Sequence, residues 1–398
     1  MTESIEAETS ERIILLACAR QPMDALWGQR LRRALSGRVV WDALLWQGER
    51  HGLTPLLHHH LSQAAAGRLP DGVAERLAQS GREIAQTSLF LTGEFLRLLE
   101  VFAAEGIPVI PYKGPVLAVT AYGNLGLRRM SDVDLLVRRQ DIGRGVELLE
   151  RLGFRREGDL TPAQARFAVR YAYTFDFLHD KGLRVEMHWA PVPRNMSIAW
   201  NAEGVWERAR SAVLLGRQMM VASPEDTLLM LCLHGLKSAW CTVGMLTDVH
   251  QWVGAHPDLD WTTLLEMAEG QRCERALLLG LQSSRELLGT ELPGAVLSRL
   301  EADPEVSKLA GRVKKRLWRE VATQAESVAG LTGLTLRCQR GLWNQAVCLL
   351  RLAATPSLYD VVAVRLPRPL FALYYGLRPL RVLWKYGAGV LPEALRRQ

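Results

Sequence analysis

Paired cysteines, long apolar runs, internal repeats and low-complexity tracts are all missing from this sequence. Its six cysteines (Cys18, Cys232, Cys241, Cys273, Cys338 and Cys348) are scattered, with no Cys-x-x-Cys and no histidine at zinc-ligand spacing. That excludes a zinc ribbon and a disulfide-stapled scaffold, and reads as buried thiols of a reducing cytosol. No segment approaches the roughly eighteen apolar residues of a membrane span. The opening residues are acidic and lead into no cleavable apolar stretch, so no secretory signal is expected and the expected location is cytoplasmic. No Ser-His-Asp or nucleophilic cysteine arrangement follows from the spacing.

What is present is a globular composition: 398 residues, 48% hydrophobic and 23% charged, with 33 glycines and 18 prolines. Such a chain forms roughly two or three domains. The 12 tryptophans sit mostly in helical patterns, where core packing explains them. The net charge of +7 is uneven, because residues 331–398 hold ten Lys and Arg against only Asp360 and Glu393. The first 330 residues are therefore near neutral, which argues against nucleic acid as a partner. In the tail, Arg365, Arg368, Arg378, Arg381 and Lys385 are interleaved with Leu, Phe, Tyr and Trp. Such a basic amphipathic tail either makes peripheral contact with an anionic membrane or, the favoured reading, packs its apolar side chains on the body with its arginines solvated.

Hydrophobic periodicity divides the chain into three parts. Residues 1–106 read as helices, 107–222 as a small mixed α/β core, and 223–398 as a second helical region, which together make an α+β protein. Within the core, the β-branched run 107–112 is followed by Lys113-Gly114-Pro115 and an apolar helix closed by Gly123, a strand-turn-helix pattern. Residues 131–137 read as a second strand, and Asp141 as the cap of a helix ended by Gly153. Between 169 and 189 the alternation predicts a hairpin: Tyr171, Tyr173, Phe175 and Phe177 on one apolar face, then Leu183, Val185, Met187 and Trp189, with Arg184, Glu186 and His188 opposite. Ser223-Pro224-Glu225-Asp226 is a strong helix start.

The chemistry concentrates on Asp132, Asp134 and Glu186. Carboxylates at i and i+2 of a strand lie on one face about 7 Å apart, and a third from a neighbouring strand would complete a site for hard cations such as Mg²⁺. Upstream, Lys113 and Gly114 open a helix whose free N–H groups suit phosphate, and Arg128 and Arg129 add cationic donors. His188 shares the face of Glu186 and could orient it or an acceptor, as could Arg184. His234 and Lys237 share a helix face and could line the same pocket, although helix packing explains them as well. His58, His59 and His60 point about 100° apart on a helix, cannot converge on one metal, and read as a solvated helix end.

Taken together, Lys113-Gly114, the run from Arg128 and Arg129 through Asp132 and Asp134 to Val137, and Val185-Glu186-Met187-His188-Trp189 resemble the bacterial "uncharacterised nucleotidyltransferase" family of the DNA polymerase β-like superfamily. The resemblance implies a small mixed sheet flanked by helices and transfer of a nucleoside monophosphate from an NTP, ATP being the first choice, to an acceptor hydroxyl. It implies that Asp132 and Asp134 bind two Mg²⁺ ions, with Mn²⁺ as an alternative, and that Glu186 binds the catalytic ion and helps deprotonate the acceptor. Where the superfamily commonly has Gly-Ser or Gly-Gly, this sequence has Gly114-Pro115, leaving Lys113 to substitute for the serine. The acceptor, a small molecule, sugar or protein, is not legible. The rival expectation is a non-catalytic nucleotide-binding or interaction module, membrane-peripheral, in envelope polysaccharide or natural-product assembly.

Overall fold

The alternation between 107 and 189 is realised as a five-stranded mixed sheet in the order β1-β2-β5-β4-β3. Its strands are β1 (Val109–Pro111), β2 (Val133–Val137), β3 (Arg155–Arg156), β4 (Thr174–Leu178) and β5 (Arg184–His188). β2 and β5 run parallel, and the other neighbours are antiparallel. The structure, a computed structural model, describes residues 9–65, 69–158, 160–319 and 324–381. Residues 1–8 and 382–398, Lys385 among them, lie outside these.

Strand periodicity decides what each face of the sheet carries. Val133, Leu135 and Val137 of β2, Phe175 and Phe177 of β4, and Val185 and Met187 of β5 point into one apolar cluster with Leu91, Phe95, Leu98 and Phe102 of the 34-residue helix Asp71–Ala104. The helix Ile142–Arg151 closes the same face through Leu148 and Leu149. It approaches closely at Gly145, where a Cβ would lie 2.7 Å from the Met187 sulfur. The other face receives the even-numbered residues Asp134, Glu186 and His188, and is covered by the helix Pro224–Lys237. Burying a polar row beneath a helix is costly unless the row has partners, and this places the chemistry on this face.

The flanking helices are not two separate modules. Ile14, Leu57, Leu229, Leu246, Leu277 and Leu309, drawn from both ends of the chain, lie in one apolar cluster. The helix Asp71–Ala104 joins the two cores, with Val73 and Leu77 in the helical cluster and its second half under the sheet. A hairpin of β6 (Arg210–Leu214) and β7 (Arg217–Val221), unread in the sequence, packs beside β1.

Several expectations change. Asp141 precedes its helix but makes no side-chain cap bond there, because its carboxylate takes Arg144 at 3.2 Å. His58–His60 is not a solvated end: His60 is buried, with its Nε2 2.7 Å from the Arg20 carbonyl. Five cysteines are buried as expected, but Cys241 is exposed. Residues 342–363 form a stretch long and apolar enough to cross a membrane, contrary to the expectation that none exists. That stretch is broken around Pro356 into the helices Leu342–Ala354 and Leu358–Ala363. The tail packs on the sheet domain through Val361 and Tyr374, yet Arg378 and Arg381 are not solvated, since both pair with the buried Asp360.

Candidate active site

Parallel pairing of β2 and β5 sets Asp134 opposite Glu186, and antiparallel pairing of β5 and β4 sets Glu186 opposite Asp176. Three carboxylate residues thus form one rung across three strands spaced about 4.8 Å apart. His188, two residues along β5, donates from Nε2 to Asp134 Oδ1 at 2.9 Å and to Glu186 Oε2 at 3.2 Å. Among the described residues, ligand atoms of Asp134, Glu186 and His188 lie within 4.8 Å of one another and could hold a metal ion. Asp132 stands just before β2, half-buried and outside that trio.

Lys113 supplies the opposing charge, with its Nζ 3.4 Å from Asp134 Oδ1 and its side chain only 9% exposed. It holds φ +60° and ψ −131° immediately before the helix Gly114–Tyr122. That backbone region favours glycine, so a lysine there is strained, and strain of this kind concentrates at functional sites. Gly114 also has positive φ, and a Cβ added there would meet nothing within 4 Å. Free N–H groups at the start of a helix suit an anion.

Electrostatics separates the carboxyl groups. Burial and the neighbouring Asp134 push Asp132 up to about 6, and burial and Glu186 push Asp176 up as well. Burial acts the same way on Asp134, but Lys113 and His188 overcome it and hold this group below the usual carboxylate range. Burial works against a charged His188, yet its hydrogen bonds to Asp134 and Glu186 raise its pKa. The result is a cluster of fixed opposite charges under a helix.

The expected site residues separate into those brought together and those that are not. His234 and Lys237 of the Pro224 helix face the cluster: burial, Lys113 and Lys237 hold His234 well below its ordinary value. Lys237 Nζ donates to the Tyr173 hydroxyl at 3.2 Å. The Nδ1 atoms of His188 and His234 are buried without a hydrogen-bond partner, so the cluster has unused ligand capacity. Arg128, expected to meet phosphate, is instead engaged by Asp248 through two hydrogen bonds of 2.8 and 2.9 Å, with Tyr122 donating to the same carboxylate at 2.6 Å. It clamps the sheet domain to the helix Val243–Ala255. Arg129 is exposed and lies 3.5 Å from the Glu49 carbonyl, and Arg184 pairs with Glu157 at 2.8 Å at the sheet's outer end.

Tyr173 and Asp176 were missed as site residues. The alternation puts Tyr173 on the apolar face, but β4 begins only at Thr174, so the alternation does not extend to it and its ring sits 6.1 Å from that of His188. Asp176 could have been found, because it alternates with Phe175 and Phe177 and therefore shares a face with Glu186.

A family model described as "Uncharacterised nucleotidyltransferase" matches residues 38–289, more than half of the chain, and spans Lys113, both aspartates and Glu186. No curated protein matches. Among solved structures, the chain is similar to a lincomycin-bound lincosamide antibiotic adenylyltransferase, LnuA, at 17% identity and a TM-score of 0.30, covering 41% of this chain and 96% of that one. The strand-lysine-helix opening, the paired aspartates and the glutamate facing them from a parallel strand all fall inside the matched stretch, and the chain belongs to the uncharacterised nucleotidyltransferase family.

Proposed function

We propose that this nucleotidyltransferase moves a nucleoside monophosphate from an NTP, with ATP as the first choice, to a hydroxyl of a small-molecule, sugar or protein acceptor, with Mg²⁺ as its cofactor. The observation that carries the reading is the register of β2 against β5, which gathers Asp134 and Glu186 beside Lys113 at the start of a helix. The donor set fits a hard cation: Asp134 and Glu186 offer carboxylate oxygens, Asp132 offers a third at the mouth, and His188 holds the first two in place. A bound Mg²⁺ supplies Lewis-acid stabilisation of phosphate charge and acidifies the acceptor hydroxyl.

The chain's own residues have distinct tasks. Lys113 and the N–H groups at the start of the Gly114 helix bind and orient the triphosphate and offset charge that builds on its oxygens. Glu186, the most accessible of the trio with a side chain 22% exposed, is placed to accept the acceptor's proton. Lys237, held by Tyr173, adds positive charge from the covering helix.

The test is incubation of the full chain with Mg²⁺, cell extract, and NTPs labelled at the α- or the γ-phosphate. Label from the α-phosphate alone should enter a product, and Asp134→Asn should abolish it. Transfer of γ-label, or NTP binding without transfer, would overturn the proposal, the latter in favour of a non-catalytic module.

A further inference from the structure

The helix Leu342–Ala354 is amphipathic in the wrong sense for a helix at a finished surface. Cys348 is its one buried residue, whereas Leu342 is 86% exposed, Trp343 79%, Leu349 53% and Leu350 67%. Leu342 and Leu349, like Trp343 and Leu350, are seven residues apart, about two helical turns, and so share a single stripe. The apolar exposure continues beyond Pro356 at Tyr359, Leu370, Leu373 and Leu380. An exposed apolar stripe of this kind marks an interaction site.

Charge selects the partner. Between Gly341 and Arg381 the sequence has a single acid, Asp360, which is buried and paired with Arg378 and Arg381. The exposed charges of this segment are thus all positive, Arg351 and Arg368 among them. Apolar side chains flanked only by cations match the acyl boundary and headgroups of an anionic bilayer. Length excludes a crossing: 13 helical residues reach about 20 Å before the break at Pro356, short of the roughly 30 Å hydrocarbon core. We infer that the helix Leu342–Ala354 and the segment following it form a docking face that lies on an anionic membrane surface, with Trp343 at the interface. This places the enzyme at a membrane whatever its acceptor proves to be. It departs from the favoured sequence reading only in part, since Val361 and Tyr374 of the tail do pack on the sheet domain.

The experiment is sedimentation of the full chain with phosphatidylcholine vesicles prepared with and without phosphatidylglycerol. Binding should require the anionic lipid and weaken with added salt. Arg351→Glu with Arg368→Glu should cut partitioning by at least twentyfold, about fivefold for each arginine removed. Leu349→Ser with Leu350→Ser should cut it at least tenfold, and Leu89→Ser, an exposed leucine on another helix, should leave it unchanged. All these positions are exposed, so circular dichroism should show unaltered folds. The inference is overturned if the wild-type chain fails to bind anionic vesicles, or if neither double variant weakens binding. It is equally overturned if light scattering shows a dimer that Leu349→Ser with Leu350→Ser dissociates while vesicle binding persists, because a second copy then covers the face.

Discussion

Asp134 and Glu186 stand directly opposite each other on the parallel strands β2 and β5, tied by one histidine, His188, that donates to both. Two buried or half-buried carboxylates side by side repel each other unless cations intervene. Here the intervening groups are Lys113 and His188, so the pair is held ready rather than dispersed.

Asp134→Asn keeps the shape and can still accept from His188, but it removes the charge on which Lys113 and a metal depend. Transfer should fall by at least about 10³-fold, equivalent to about 4 kcal/mol of transition-state stabilisation. The check is single-turnover α-label transfer on protein whose circular dichroism matches wild type. A variant that keeps a tenth of the activity would remove Asp134 from the proposed site.

Lys113 couples strain to charge, and two substitutions separate them. Both Lys113→Ala and Lys113→Gly remove the ammonium and should impair transfer to the same degree. Only glycine accepts φ +60° without cost, so Lys113→Gly should be more stable than Lys113→Ala by about 1 kcal/mol. Urea titrations of the two proteins measure the difference, and equal midpoints would show that the backbone there is unstrained.

The Arg128–Asp248 pair should act as a clamp between the sheet domain and the helical region. Arg128→Ala leaves a buried carboxylate with Tyr122 alone and should cost about 3–5 kcal/mol. Replacing both partners with apolar residues, Arg128→Met with Asp248→Leu, should recover most of that loss and leave KM for the NTP unchanged. A severalfold rise in KM in the stable double variant would return Arg128 to the phosphate.

Two histidines, the buried His51 and the half-buried His250, should make the helical region acid-sensitive. His51 accepts a hydrogen bond from the Val243 N–H at Nδ1, and burial, aided by Arg50, pushes its pKa down to about 4. Burial, aided by Arg20, does the same to His250. Between about pH 6.5 and 4 the unfolded chain binds these protons and the folded chain does not, so stability is lost as pH falls through that window. Each histidine contributes up to about 1.4 kcal/mol per pH unit. Denaturant unfolding at pH 7 and pH 5 measures the loss, and His51→Gln and His250→Gln should each flatten the slope.

Much of the sheet domain was legible because its signals are local. A lysine and glycine between a β-branched run and an apolar helix, an alternating hairpin, and Ser223 before Pro224 each act within a few residues, and each forms the expected element. Asp134, Glu186 and His188 were readable from the same alternation. Asp176 follows the same rule, sharing the face of Glu186 across β4 and β5. Tyr173 was misplaced because alternation says nothing about where a strand begins.

Sequence by itself determined the α+β class, the family, and the acidic and basic groups that could meet on one face, because periodicity and side-chain chemistry are properties of neighbouring residues. Tertiary structure alone decided which of them do meet. The pairing of β2 with β5 joins Asp134 to Glu186, the Pro224 helix brings Lys237 over them, and Asp248 engages Arg128. It also left the apolar stripe of the Leu342 helix uncovered, which no composition could show, since an apolar residue reads the same in a core as on a surface awaiting its partner.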